Sequence, residues 1–209
     1  AIYHFSEAAR KGHERALGRA LDYLFSRGNN LILSNPKEAL DLYYTAKNVN
    51  PDIEGTLTDM SKVESGSVDA IYSSHNIEHV YPHEVPIVLN EFFRVLKKDG
   101  IVVVVCPDLQ SVCEAVVNDK LRDPLYISPE GPISPLDIIY GHGQAIENGN
   151  EYMAHKCGFT YTILDNFFAD AGFDTRYGGR RKQQWDLFIV AFKQAKSEEE
   201  IKRIAGLFL

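Results

Sequence analysis

The chain has 209 residues, 44% hydrophobic and 24% charged, a globular composition with length enough for one domain and a substantial core. Its formal charge of −7 at pH 7 argues against wholesale binding to a nucleic-acid backbone, and no apolar run reaches the roughly 18 residues that a membrane span needs. Cys106, Cys113 and Cys157 form no C-x-x-C pair and AIYHFSEAARKGHERALGRALDYLF lacks the apolar core of a secretory signal, so the expectation is a reducing cytoplasm, with neither disulfide framework nor thiolate zinc site.

In chain order, residues 6–26 read as an amphipathic helix with Leu17, Leu21, Leu24 and Phe25 on one stripe and Gly28 at its end. Asn30–Ser34, NLILS, reads as a short buried strand. NPKEALDLYYTAKNVNP then opens with helix-start chemistry, Asn35 capping, Pro36 in the first turn and Glu38 closing a capping box. LDLYYT within it also suits a strand, and periodicity leaves the choice open.

SGSVDAIYSS reads as a turn and an alternating strand, with Val68, Ala70 and Tyr72 on one side and Asp69, Ile71 and Ser73 on the other. HEVPIVLNEFFRVLKKDG follows as a helix whose face is Val85, Leu89, Phe92 and Leu96, with Lys97 and Lys98 at its C-terminal end and Gly100 as its stop. IVVVVC is a β-branched run of the kind buried on both faces of a sheet, which completes a strand–helix–strand unit. Residues 118–160, rich in Pro, Gly, Asn and Asp, form a long excursion over one face. Thr162 is expected to cap a further helix, with Ile163, Phe167 and Ala171 buried and Gly172 ending it. FDTRY and WDLFIVAF then read as a hairpin whose turn is the solvated basic cluster GGRRKQQ, and Ser197 with Glu200 starts a last helix.

SSHNIEHVYPHE, residues 73–84, spells H-x-x-E-H with His75, Glu78 and His79. A zinc hydrolase would need both histidines on one continuous helix and a third ligand elsewhere. Here His75 directly follows a strand and Pro82 interrupts the path to His83, which favours a strand-end site over a metal. Sites in open α/β sheets form at the carboxyl ends of strands, where one strand delivers Ser73, Ser74 and His75 and the other Pro107 and Asp108.

SVDAIYSSHNIEHVYPHEVPIVLNEFFRVLKKDGIVVVVCPDL resembles the middle of the class I S-adenosylmethionine-dependent methyltransferases, particularly the type 11 group. The resemblance lies in a strand ending near an E-H pair, a helix end written RVLKKDG with Asp99 in place of the family's first glycine, and a strand ending in P-D. GPISPLDIIYGH, MAHKCGFT and LDNFFADAGF extend the likeness across roughly residues 51–192. It implies a single domain over 1–209 with a doubly wound, mostly parallel Rossmann-like α/β sheet. Around that sheet it implies a C-terminal antiparallel hairpin, an N-terminal helical extension over 1–29 and a lid-like excursion over 118–160. It also implies S-adenosylmethionine as cofactor and methyl transfer without a metal.

The resemblance places Ser34, Asn35, Asp59, Met60, Ser74 and His75 around the donor, and His75, Glu78 and His79 as candidate catalytic groups, with His142, His155, Tyr140 and Tyr152 near the acceptor. The front of the donor motif departs from the family: Ser34, Asn35, Pro36 and Lys37 stand where a glycine-rich turn is usual, and the expected ribose-binding acid falls near Tyr44 or Asn50. Two further readings stand beside the methyltransferase: a module of the same fold that has lost the donor and acts through a protein partner, and the zinc hydrolase. The acceptor implied is a small molecule or glycan-like, with no nucleic acid or membrane, and the chain could pair with a second copy or another protein.

Overall fold

A computed structural model describes residues 55–128 and 130–206. The expected helix over 6–26, the NLILS strand, the helix-or-strand segment after it, and Ser34 and Asn35 lie outside the described residues.

The central unit is β1 (Val68–Ser74), α1 (Val85–Val95) and β2 (Leu96–Pro107). α1 forms because Val85, Val88, Leu89, Phe92 and Val95 recur on one face, and all five are fully buried. It ends earlier than the lysines and Gly100 suggest. Leu96 is already extended and lies opposite Val68, with the register shifting between Val68 and Ala70, and Lys97 is drawn across to Asp69 at 2.7 Å. Pairing with β1 thus outweighs the helix-end chemistry. Gly100 serves the strand instead, since a Cβ there would meet the Lys97 carbonyl at 2.9 Å.

After β2 come α2 (Leu109–Val117), the ribbon β3 (Tyr126–Ser128) and β4 (Gly131–Ile133), the short helices α3 (Pro135–Tyr140) and α4 (Gly143–Glu147), and α5 (Tyr161–Asp170). The chain continues with β5 (Thr175–Arg181), β6 (Asp186–Phe192) and α6 (Glu198–Ala205). The 118–160 excursion therefore carries its own secondary structure, and α3 starts on a complete capping box between Ser134 and Asp137. α5 is capped by Thr160 rather than Thr162 and buries Leu164 and Phe168, one residue on from the expected Ile163 and Phe167.

The main sheet runs β1-β2-β6-β5. β1 and β2 are parallel, and β6 and β5 add the expected antiparallel hairpin. Helices cover both faces. Val102, Val104, Cys106, Leu187, Ile189 and Ala191 pack in the layer of α1 and α5, whereas Ile101, Val103, Val105, Phe188, Val190 and Phe192 meet Ile201 and Ala205 of α6. The architecture is thus α/β with the sheet buried on both sides. No helix among the described residues is long and apolar enough to cross a membrane.

The basic cluster is not a solvated turn. Gly178, Gly179, Arg180 and Arg181 belong to β5, and the turn is Lys182–Trp185, with Trp185 at φ 61°. Gly178 has no room for a side chain, since a Cβ would fall 2.3 Å from the Phe188 carbonyl oxygen. Arg180 Nε donates to Asp108 at 2.6 Å and its Nη2 to Ser111 at 2.8 Å, and Arg181 forks onto Asp186 at 2.7 Å. Asp108 is fully buried and also caps α2 by accepting from Gln110 N. Replacing Arg180 with Met, which strands that carboxylate, is expected to cost about 3 kcal/mol in urea denaturation; a loss under about 0.5 kcal/mol would show that Asp108 does not depend on the guanidinium.

Candidate functional site at the end of β1

β1 delivers the site by pairing to its last residue and then turning sharply. His75 N still donates to Val105 O at 2.9 Å, after which His75 takes φ 51°, a left-handed conformation uncommon for a residue with a side chain. Asn76 Nδ2 holds the bend by donating to Ser74 O at 3.0 Å. The chain then makes a single 3-10 turn, Ile77–His79, so the helix that a zinc hydrolase would need is not formed here. His83 lies beyond the turn, stacked on Tyr81 with ring centroids 5.8 Å apart.

The turn buries a carboxylate. Glu78 is 1% exposed, and neither carboxylate oxygen has a hydrogen-bond partner. His75 Nδ1 stands 3.4 Å from Oε1, on a side chain that is 53% exposed. Desolvation opposes a charge on this imidazole, but Glu78 with Asp186 carries it above its ordinary value. Two groups at the C-terminal edge of β1 are thus paired, one toward solvent and one enclosed.

The far end of the excursion closes against this turn. Lys156 N and Cys157 N both donate to Glu78 O, at 2.8 and 3.2 Å, and the Cys157 thiol donates to Ile77 O. His79 Nδ1 lies 3.1 Å from Ala154 O and His155 Nδ1 lies 2.7 Å from Ile138 O. The two rings meet edge to face with centroids 4.8 Å apart. Burial holds His155 below the usual imidazole value and pushes the Cys157 thiol up to about 12, which makes Cys157 inert as a nucleophile.

The structure therefore brings His75, Glu78, His79 and His155 together. Ser74 is half-buried beside them, while His142 stands at the start of α4 and Tyr140 and Tyr152 are exposed, at 64% and 86%. Asp108, expected to face the same edge, is committed to Arg180 and the α2 cap. Ser73, placed at this edge by the sequence but given no role there, is fully buried and its hydroxyl is unpartnered. Its signal was a serine sharing the inward face of β1 with Ile71.

Asp59 and Met60 sit on a different support. Asp59 is exposed, and hydrogen bonds from Ser61 hold its carboxyl below the usual range. Met60 is buried, its N–H donates to Glu91 Oε2 at 3.0 Å, and its carbonyl accepts from Arg94 Nη2 at 2.8 Å. Arg94 also donates to Val63 O and Ser65 Oγ and forks onto Glu91. One ion pair on α1 thus fixes the loop that carries Asp59.

With this geometry in hand, comparison with known proteins gives one family match: residues 16–104 match the family described as a methyltransferase domain. No curated protein matches the sequence. Among solved structures, a candidate O-methyltransferase from Nostoc punctiforme PCC 73102 aligns at 15% identity and TM-score 0.39, covering 67% of this chain and 35% of its own. A possible histamine N-methyltransferase from Thermotoga maritima aligns at 15% identity and TM-score 0.42, covering 68% and 63%. A SAM-dependent methyltransferase from Methanosarcina mazei aligns at 18% identity and TM-score 0.43, covering 76% and 79%. The chain thus spans about a third of the first protein's length and under two thirds of the second's.

The Glu91–Arg94 pair has a definite pH signature. Its hydrogen bond from Arg94 lowers the Glu91 pKa below 4.5, so its stabilisation is present above pH 4.5 and is lost as pH falls through the lower folded value. Glu91→Gln should cost about 1 kcal/mol at pH 7 in urea denaturation, after allowing for partial solvent screening, and progressively less below pH 4. A deficit that stays constant with pH would mean that the ion pair is not its source.

Proposed function

We propose that the chain, whose residues 16–104 match the methyltransferase domain family, transfers a methyl group from S-adenosylmethionine to a small-molecule or glycan-like acceptor. The observation that carries this reading is the pair at the end of β1: a half-exposed His75 held against the buried Glu78, at the strand edge where open α/β sheets place their ligands.

The residues present suit such a donor. Asp59 offers an exposed carboxylate kept ionised by Ser61, able to accept hydrogen bonds from an adenine amino group, and Met60 is locked beside it by Glu91 and Arg94. Ser73 supplies a buried hydroxyl without a partner, and Ser74 and His75 border the crevice. Ser34 and Asn35 complete the proposed donor set, in place of the usual glycines. When bound, the donor supplies an electrophilic methyl group on sulfur.

The protein's task is alignment and proton handling. As the acceptor's oxygen or nitrogen forms its bond to the methyl carbon and the sulfur–carbon bond breaks, the acceptor's proton passes to His75, and Glu78 orients that imidazole. His79 fixes the turn through Ala154 O, and the excursion, with Tyr140 and Tyr152 exposed upon it, borders the acceptor side.

Calorimetric titration with S-adenosylmethionine and S-adenosylhomocysteine tests the reading directly. Micromolar binding of either ligand is expected, weakened about tenfold by Asp59→Ala, equivalent to about 1.4 kcal/mol. Binding that Asp59→Ala leaves unchanged would misplace the pocket. Absence of binding to a folded sample would favour the donor-free module, whose motivation is the glycine-free LILSNPKEA. With an acceptor found by screening, His75→Gln should lower kcat by about 100-fold or more with little change in KM; an unchanged kcat would remove His75 from proton transfer.

A further inference from the structure

We propose that Glu78, His79 and His155 form a binding site for one divalent transition-metal cation of the zinc class, which clamps the turn after β1 to the end of the 118–160 excursion. One ligand atom from each of these three side chains lies within 4.8 Å of the other two.

Two independent features support a cation there. Glu78 is 1% exposed and neither carboxylate oxygen has a hydrogen-bond partner, and an enclosed carboxylate requires a compensating charge or proton. His75 approaches only Oε1, at 3.4 Å. The histidines are already oriented: each Nδ1 faces a backbone carbonyl, Ala154 O for His79 and Ile138 O for His155. A carbonyl only accepts, so each Nδ1 carries the hydrogen and each Nε2 keeps its lone pair. Metal-binding histidines are commonly fixed by this kind of outer hydrogen bond.

Two imidazole nitrogens and one carboxylate oxygen form a donor set found in three-ligand zinc sites with a fourth position open. Calcium and magnesium favour all-oxygen shells. Ligand atoms around a cation at about 2.1 Å lie about 3.4 Å apart in tetrahedral geometry, so closure asks the side chains to move inward by about 1 Å. The backbone frame is built, since Lys156 N donates to Glu78 O and His155 N to Tyr140 O.

This site is not the H-x-x-E-H arrangement of a hydrolase, because His75 is outside the three and the third ligand comes from the excursion. It shares Glu78 with the proposed His75 pair, but metal binding and donor binding are separate measurements on the same sample, so either can fail without the other.

The test uses the full chain stripped with chelator and titrated with zinc chloride, with cobalt(II) absorption reporting the coordination number. One equivalent should bind with micromolar or tighter affinity and raise the melting temperature, because the folded state alone presents the site. Glu78→Gln, His79→Asn and His155→Asn should each weaken binding by more than about tenfold, whereas the exposed His83→Ala should not. These variants are read where circular dichroism shows the wild-type fold, and should none fold, the wild-type titration decides by itself. No binding by folded wild-type protein, or equal binding by the folded ligand variants, overturns the site.

Discussion

The double burial of β2 is the constraint on which the rest of the structure depends. Its residues alternate between the layer of α1 and α5 and the layer of α6, so a slip of one position would exchange the two sets of side chains. That fixes the register with β1, where Ser73 faces Val104 and Ser74 faces Val105, and with β6, where Pro107 faces Asp186. The edge at which His75 turns away is therefore set by apolar packing that reaches up to Val105, the residue whose carbonyl accepts from His75 N.

Two buried carboxylates on this frame are provided for in opposite ways. Asp108 receives a backbone N–H, the Ser111 hydroxyl and the Arg180 guanidinium, which makes it part of the architecture. The Glu78 carboxylate receives no hydrogen bond. Enclosed acids left incomplete concentrate where proteins bind or react. The contrast is the physical ground for proposing a site at Glu78, and it makes no reference to any relative.

Much of this was legible in the sequence where the signal is local. The strand, helix and strand from Val68 to Cys106 follow from spacing and β-branching, and His75, Glu78 and His79 stand out as neighbours in one short stretch. Failures came where distant partners decide. RVLKKDG has good helix-end chemistry, yet Leu96 pairs with Val68 instead. GGRRKQQ has turn composition, yet Arg180 and Arg181 find Asp108 and Asp186. His155 was visible as a histidine in a loop, but its meeting with His79 depends on how the excursion folds back. Asp59 stood out only through family resemblance, and Ser34 and Asn35 lie outside the described residues.

Gly141 gives the excursion a narrow neck. It bridges Ala154 at φ 98°, and a Cβ there would fall 2.0 Å from the Met153 carbonyl oxygen, so the two strands of chain touch backbone to backbone. Residues 142–153 hang beyond that pinch as a closed loop, while Tyr140 and His155 are joined on the near side. Loops pinned at the base tolerate changes in length and sequence beyond it. The loop tip can therefore be rewritten while His155 and the turn it meets keep their places, separating what evolution can vary from what it must hold fixed.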